Sequence, residues 1–145
     1  MNTILLATDG SPSAEAATTE AIELCADTGR PLRVVVVWRI PVVAGYGYAP
    51  TTVVPELADA EREQAEKVGE EAVSRAHAAG VTATFELREG DAADEICVAA
   101  RNVTASLIVI GAHGWGAIRR AVFGSVSTHV LHEAPCPVLV VREQR

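Results

Sequence analysis

The feature that most constrains this chain is a regular alternation between short apolar runs and longer segments with helical spacing. Five runs are rich in branched aliphatic residues: Thr3–Ala7, Arg33–Trp38, Val81–Leu87, Leu107–Ile110 and Pro137–Val141. Four of them are nearly continuous in apolar residues, which is typical of strands buried on both faces of a parallel sheet. Val81–Leu87 instead alternates apolar and polar residues, which predicts a more exposed strand at a sheet edge.

Segments with helical character separate these runs. Ser11 and Pro12 predict an N-cap followed by proline at the first helical position, and Gly29 is expected to close that helix. Further helices are predicted over Glu56–Ala79, Asp91–Asn102 and from Ser125 to Glu133. Steps of three and four residues predict one buried stripe on the longest helix: Leu57, Ala65, Val68, Ala72, Ala76 and Ala79.

This order of elements predicts a doubly wound, Rossmann-like α/β domain. We expect a five-stranded parallel sheet in the order 3-2-1-4-5, with helices on both faces. A length of 145 residues leaves room for one domain, spanning 1–145. Val81–Leu87 and Pro137–Val141 would then form the two edges of the sheet. The one long stretch predicted to be irregular is Arg39–Pro55.

Charge and composition exclude several classes of function. A net charge of −7 argues against a nucleic-acid partner, because phosphate contacts need a basic face. Lys67 is the only lysine, which argues against lysine-based catalysis and against a Walker-type phosphate loop. The opening MNTILLATDG has neither a basic region nor an apolar stretch long enough for a signal peptide or a membrane span. We therefore expect a cytoplasmic protein without membrane contact.

Cysteines and histidines give no pattern that predicts a metal or redox site. Cys25, Cys97 and Cys136 are widely spaced, form no C-x-x-C pair and lie in apolar runs, so we expect small core residues. His129 and His132 lie three residues apart, but no third ligand has a matching spacing. We expect both of these histidines on the exposed surface.

A ligand site is expected where the strand order reverses, between the first and fourth strands. The residues that follow these strands are polar or rich in glycine: Thr8–Ser11 and Gly111–Gly116. Gly111 and Gly114 would leave room for a ligand and permit positive φ. Gly124 then opens the last helix, whose free N–H groups would attract an anion. Together these elements could hold phosphate groups without a lysine.

The spacing of these glycines resembles a known motif. Gly111, Gly114, Gly124 and Ser125 match G-x2-G-x9-G-[ST], the pattern of the ATP-binding branch of the universal stress protein family. The resemblance includes TILLATDGSPSAEAA at the start, GDAADEI at Gly90–Ile96 and GSVSTHVLHEAPCPVLVVR at Gly124–Arg142. It implies an ATP site, which could also hold Mg²⁺ together with the nucleotide.

The resemblance also implies which residues form this site. Asp9 would reach the nucleoside, the backbone of Val37 would meet the adenine, and amides and hydroxyls at the start of the last helix would hold the phosphates. The implied nucleotide-binding residues are Ala7, Thr8, Asp9, Val37, Gly111, His113, Gly114, Gly124, Ser125, Val126 and Ser127. One departure is Val36, since many family members carry a histidine at that position.

Several residues near the motif allow more than one interpretation. Asp9 could also cap the first helix, a role that is compatible with ligand binding, whereas a phosphoacceptor role is disfavoured because the required lysine is missing. For His113, contact with a ligand or simple exposure to solvent is favoured over a role as general base, because no nucleophile or second acid accompanies it. Arg119 or Arg120 could reach a terminal phosphate, or both could face water. Trp115 could shield the phosphates or form a subunit contact.

These observations predict an ATP-binding stress-response or regulatory protein whose nucleotide occupancy acts as a signal, with at most weak ATPase activity. One alternative is a slow ATP hydrolase or phosphotransferase in which Asp9 positions Mg²⁺. Another is a dimeric scaffold that binds a different nucleotide, such as cAMP, or none. The apolar edge strand Pro137–Val141 needs a cover, and pairing with a second copy predicts a homodimer.

Overall fold

Strands and helices alternate along the chain. The structure, a computed structural model, describes residues 2–43, 52–115 and 123–143. The strands in these ranges are β1 (Ile4–Ala7), β2 (Leu32–Trp38), β3 (Val42–Val43), β4 (Thr52–Val53), β5 (Ala83–Glu89), β6 (Leu107–Gly111) and β7 (Val138–Val141). The helices there are α1 (Pro12–Thr28), α2 (Pro55–Ala78), α3 (Ala92–Asn102) and α4 (Ser125–Glu133). None of these described helices combines the length and the apolar character that crossing a membrane requires.

Five of the strands form one parallel sheet in the order β5-β2-β1-β6-β7. In terms of the five predicted runs this is the order 3-2-1-4-5, so the predicted fold class is confirmed. β1 lies in the centre, where Ala7 pairs with Val35 of β2 and with Ile110 of β6. β5 and β7 form the two edges, as predicted.

The stretch predicted to be irregular contains a short antiparallel pair. β3 and β4 pair through Val42 with Val53 and through Val43 with Thr52. The prediction for Arg39–Pro55 is therefore wrong at these positions, where β-branched residues favour an extended backbone. Residues 44–51 lie outside the described ranges.

Helices cover both faces of the sheet, because side chains alternate along each central strand. Ile4 and Leu6 point to the face covered by α1 and α2. Leu5 and Ala7 point to the opposite face, where α3 and α4 pack. All four side chains are buried. A cavity opens on this second face, beside α3 and α4.

The first helix begins and ends where the sequence predicts, but its cap differs. Gly29 closes α1 with φ 70°, in the left-handed region that glycine favours. Ser11 is the N-cap residue, yet its side chain caps no helix N–H. Its hydroxyl instead donates to the carbonyl oxygen of His113 at 3.3 Å. The expected side-chain cap is thus replaced by a bond to the loop after β6.

The buried stripe of α2 differs from the prediction at several positions. Its buried residues are Ala65, Gly69, Ala72 and Ala76. Leu57 is 47% exposed and Ala79 lies beyond the helix end, so both expectations are wrong. Gly69 was missed, although a Cβ there would overlap the ring of Phe85 on β5. Which positions of α2 are buried therefore depends on the side chains of β5, such as Phe85, as well as on helical spacing.

Candidate functional site

An open cavity lies at the carboxyl ends of β1 and β6, on the face covered by α3 and α4. The space between its lining atoms, including the open mouth, is about 540 Å³. β1 is the strand at which the order of the sheet reverses, so this is the crevice that the fold class predicts. Ala7, Val35 and Ile110 are register neighbours on three adjacent strands and form part of its apolar wall.

The structure brings together almost all of the residues predicted from the sequence. Ten of them line this cavity: Ala7, Thr8, Asp9, Val37, Gly111, His113, Gly114, Gly124, Val126 and Ser127. The exception is Ser125, which is exposed at the start of α4 and is not part of the lining. The structure establishes the placement of these residues, and their contact with a nucleotide stays a prediction.

Sequence reasoning missed part of the cavity wall. The additional lining residues are Ala14, Val35, Ala92, Ile96, Ile110 and Ala112. Val35 and Ile110 could have been found from the parallel register, because both lie beside Ala7. Ala92 and Ile96 belong to the stretch GDAADEI, where a spacing of four residues places them on one face of α3.

Asp9 connects the loops that follow β1 and β6. Its carboxylate oxygen Oδ1 accepts from the N–H of Ser11 at 2.9 Å, and Oδ2 accepts from the N–H of Trp115 at 3.4 Å. The indole Nε1 of Trp115 donates to the backbone carbonyl of Asp9 at 2.9 Å. Asp9 is therefore not the N-cap of α1. We call this set of contacts the Asp9–Trp115 bridge.

The three glycines of the motif have different neighbours. A Cβ at Gly111 would lie 2.7 Å from a backbone nitrogen of α1, and a Cβ at Gly114 would lie 2.9 Å from Oδ2 of Asp9. At Gly124 the nearest atom would be a carbonyl oxygen at 3.4 Å, which is an ordinary contact. None of the three has a positive φ, so that expectation for Gly111 and Gly114 is wrong. Glycine is explained at these two positions by the close approach of the α1 backbone to Gly111 and of the Asp9 carboxylate to Gly114.

The N-terminus of α4 forms one end of the cavity. Gly124 is its N-cap, and no side chain caps the helix. The N–H groups of the first helical turn therefore have no acceptor within the helix, and the helix dipole makes this end attractive to anions. The hydroxyl of Ser127 lies 3.0 Å from the carbonyl oxygens of both Ala112 and Gly124 and donates to this pair. The hydroxyl hydrogen of Ser127 is thus donated within the protein, whereas the family resemblance implies that this hydroxyl contacts phosphate.

Comparison with known proteins identifies the family. The model of the universal stress protein family matches residues 1–142. The chain belongs to the universal stress protein family. This confirms the family that the resemblance from Thr3 to Arg142 implies, whereas membership of its ATP-binding branch stays a prediction.

Similar universal stress proteins are known as sequences and as structures. Universal stress protein YxiE of Bacillus subtilis is 32% identical over 97% of this chain and 99% of its own length. The structure of UspA from Lactobacillus plantarum is 27% identical, with a TM-score of 0.81 and 97% of each chain covered. The universal stress protein from Archaeoglobus fulgidus, solved in complex with dAMP, is 27% identical, with a TM-score of 0.67 and 97% of each chain covered.

The cysteines of this universal stress protein are structural. Cys25 and Cys97 are buried and Cys136 is half-buried, as expected for core residues. Burial raises the pKa of all three thiols. A raised pKa leaves little thiolate at neutral pH, so these groups are poor nucleophiles.

Two histidines and two arginines for which the sequence suggested possible roles are not part of the cavity wall as described. His129 and His132 are both exposed, as predicted. Nε2 of His129 lies 3.6 Å from Oδ1 of Asp94, on the neighbouring helix α3. Arg119 and Arg120, the candidates for a terminal phosphate, lie outside the described residues.

Proposed function

We propose that this universal stress protein is a single-domain, cytoplasmic regulatory protein that binds an adenine nucleotide, ATP with Mg²⁺, in the cavity. Occupancy of the site would be the signal. The observation that carries the proposal is the composition of the cavity at the reversal of strand order. It has apolar walls along β1, β2 and α3, and an uncapped helix N-terminus at one end.

The apolar end suits a nucleobase. Ala7, Val35 and Ile96 offer aliphatic surface of the kind on which a flat aromatic base packs. The base also carries hydrogen-bonding groups that need polar partners. The backbone of β2 can provide them at Val37.

The register of the sheet directs the backbone of Val37 into this crevice. The N–H of Thr8 donates to the carbonyl of Val35 at 3.1 Å, whereas the N–H of Leu32 donates to Thr82 at 2.9 Å. Odd-numbered residues of β2 therefore face β1 and even-numbered residues face β5. Val37 is odd-numbered and extends past Ala7, the last residue of β1. Its N–H and carbonyl thus point toward the space where a base would lie.

The helical end suits phosphate. Backbone N–H groups at a helix N-terminus bind phosphate oxygens, and the helix dipole adds to the attraction. Gly124 adds a further argument, because its backbone conformation and its neighbours would both accept a side chain. The fold itself therefore does not require glycine at position 124. The simplest reason for a glycine there is a ligand that lies close to the backbone. The dAMP complex of the Archaeoglobus fulgidus relative supports the same class of ligand.

Nucleotide binding predicts a stabilisation that a melting experiment can measure. ATP with Mg²⁺ at 100 times its Kd should add about 2.7 kcal/mol to the free energy of unfolding. This corresponds to a rise in Tm of several degrees for a chain of this size. The measurement is differential scanning calorimetry with and without millimolar Mg·ATP, with Mg·GTP as the test of base specificity.

A matched pair of variants localises the effect. Ala92→Leu places a larger side chain in the wall of the cavity, whereas Ala16→Leu makes the same change at a half-buried helical alanine away from it. We expect Mg·ATP to stabilise the Ala16→Leu protein and not the Ala92→Leu protein. Equal stabilisation of both would place the nucleotide elsewhere, and no stabilisation of the parent would favour the scaffold alternative. Sustained release of phosphate above the buffer rate would favour the hydrolase.

We further propose that the protein forms a homodimer through β7. Ile108 donates to the carbonyl of Pro137 at 3.0 Å, and Ala112 donates to that of Val141 at 2.8 Å. Odd-numbered residues of β7 therefore face β6, and Val138 and Val140 direct their N–H and carbonyl groups to the open edge. No strand lies beyond β7 in the described part of the chain. A second copy, related by a two-fold axis, would pair with these groups.

A proline on the open edge tests this dimer. Val140→Pro removes an N–H that faces away from β6 and should convert the dimer to a monomer, because proline cannot donate to a second strand. Val140→Thr keeps this N–H and the branched shape, and should remain dimeric. Light scattering coupled to size-exclusion chromatography gives the mass of each. A parent that is monomeric, or a Val140→Pro protein that stays dimeric, contradicts the proposal.

A further inference from the structure

The Asp9–Trp115 bridge ties the loops after β1 and β6 together beside the cavity. Trp115 is 69% exposed, so burial of its ring does not account for its position. Its position is instead explained by two hydrogen bonds to Asp9. The indole Nε1 donates to the backbone carbonyl of Asp9 at 2.9 Å, and the backbone N–H of Trp115 donates to the Asp9 carboxylate at 3.4 Å. Both the main chain and the side chain of Asp9 are therefore held by the same residue.

The carboxylate of Asp9 is fixed from several sides. Ser11 donates to Oδ1 at 2.9 Å and Trp115 donates to Oδ2. Gly114 allows this arrangement, since a Cβ there would lie only 2.9 Å from Oδ2. An ionised carboxylate has about four lone-pair sites, so both oxygens keep capacity to accept further bonds. A ligand group that meets Asp9 must therefore be a donor, and in a nucleotide the sugar hydroxyls are donors.

We infer that Trp115 is a positioning residue for recognition of the sugar. By holding the backbone and carboxylate of Asp9 in place, Trp115 keeps the carboxylate ready to accept hydrogen bonds from the hydroxyl groups of the bound nucleotide. Such preorganisation increases affinity because the ordering cost is met before binding. The inference rests on the proposed nucleotide-binding function and adds a residue that the motif does not contain.

The test compares two nucleotides that differ only in the sugar. Isothermal titration calorimetry would measure Kd for Mg·ATP and for Mg·2′,3′-dideoxy-ATP with the parent, Trp115→Phe and Trp38→Phe. Phenylalanine keeps an aromatic ring and the backbone N–H but removes the indole donor. Trp38 lies against the other face of the sheet and is not part of the cavity wall, so Trp38→Phe is the matched control.

We expect the parent to prefer ATP by about tenfold, the size of a hydrogen bond to a charged group. Trp115→Phe should lower this preference to about threefold or less, mainly through weaker binding of ATP, because the backbone carbonyl of Asp9 loses the indole donor and the main chain that carries the carboxylate is then less firmly placed. Trp38→Phe should retain the preference of the parent. The Tm of ligand-free Trp115→Phe should match that of the parent, because the side chain is largely exposed. Asp9→Ala provides a second variant and should abolish the preference.

The outcomes separate this inference from the function on which it rests. A parent that binds no nucleotide overturns both. A parent that binds ATP and the dideoxy analogue equally overturns the inference and leaves nucleotide binding intact. Equal weakening of both nucleotides by Trp115→Phe also overturns it, since the indole would then cover the ligand without acting through Asp9.

Discussion

Gly111→Ala is expected to destabilise the protein by about 3 kcal/mol, although the same change within a strand ordinarily increases stability by about 0.5–1 kcal/mol. The added Cβ would lie 2.7 Å from the backbone of α1 at Ser13 and Ala14. These are backbone atoms at the start of a helix, and they cannot move aside as a flexible side chain could. The helix must therefore shift away from β6, with loss of packing along its buried face.

Urea unfolding monitored by circular dichroism measures this effect, and Gly124→Ala is the matched control. At Gly124 the nearest atom to an added Cβ lies at 3.4 Å, and the residue is an N-cap, where alanine is only moderately unfavourable. We expect Gly124→Ala to cost less than about 1 kcal/mol. Equal stability losses at the two positions would show that close approach of α1 is not what requires glycine at Gly111.

Gly114→Ala is expected to weaken nucleotide binding by about tenfold or more while changing the stability of the ligand-free protein little. The residue is exposed, so its substitution disturbs no core packing. An added Cβ would lie 2.9 Å from Oδ2 of Asp9 and would displace the carboxylate from its present position. Binding then loses a hydrogen bond to a charged group.

A double-mutant cycle determines whether this loss is transmitted through Asp9. Calorimetric Kd values for Mg·ATP would be compared among the parent, Gly114→Ala, Asp9→Ala and the double variant. If the Cβ acts by displacing the carboxylate, the double variant should bind as weakly as Asp9→Ala and no more so. Additive losses would show that Gly114 contacts the ligand directly, and unchanged binding in Gly114→Ala would contradict the prediction.

The order of the sheet could be predicted because it depends on local patterns. Runs such as Leu107–Ile110 are apolar throughout, helices follow them, and right-handed crossovers leave few arrangements. The position of the cavity then follows from the strand order alone. Ten of the predicted site residues lie there because each lies at or just beyond the carboxyl end of a strand, or in the first turn of the helix beside it.

The roles of individual residues could not be predicted, because they depend on neighbours far away in the sequence. Ser11 has the sequence signature of a helix cap, but its hydroxyl bonds to His113, 102 residues later. Gly111 and Gly114 share one motif, yet α1 requires the first and Asp9 explains the second. A local sequence pattern does not indicate which distant backbone or side chain will lie against a glycine.

The central place of β1 has a consequence for how the protein is made. β1 leaves the ribosome before the other strands of the sheet, but one of its two neighbours, β6, follows only after about a hundred residues, and Asp9 is 106 positions ahead of Trp115. The growing chain can pair β1 with β2 early, while the other side of β1 stays without a partner until the C-terminal third has been synthesised. Such non-local pairing is slow and leaves apolar surface exposed in the meantime. The proposed site is thus among the last parts to be completed, because its wall needs β6 and the start of α4 as well as β1.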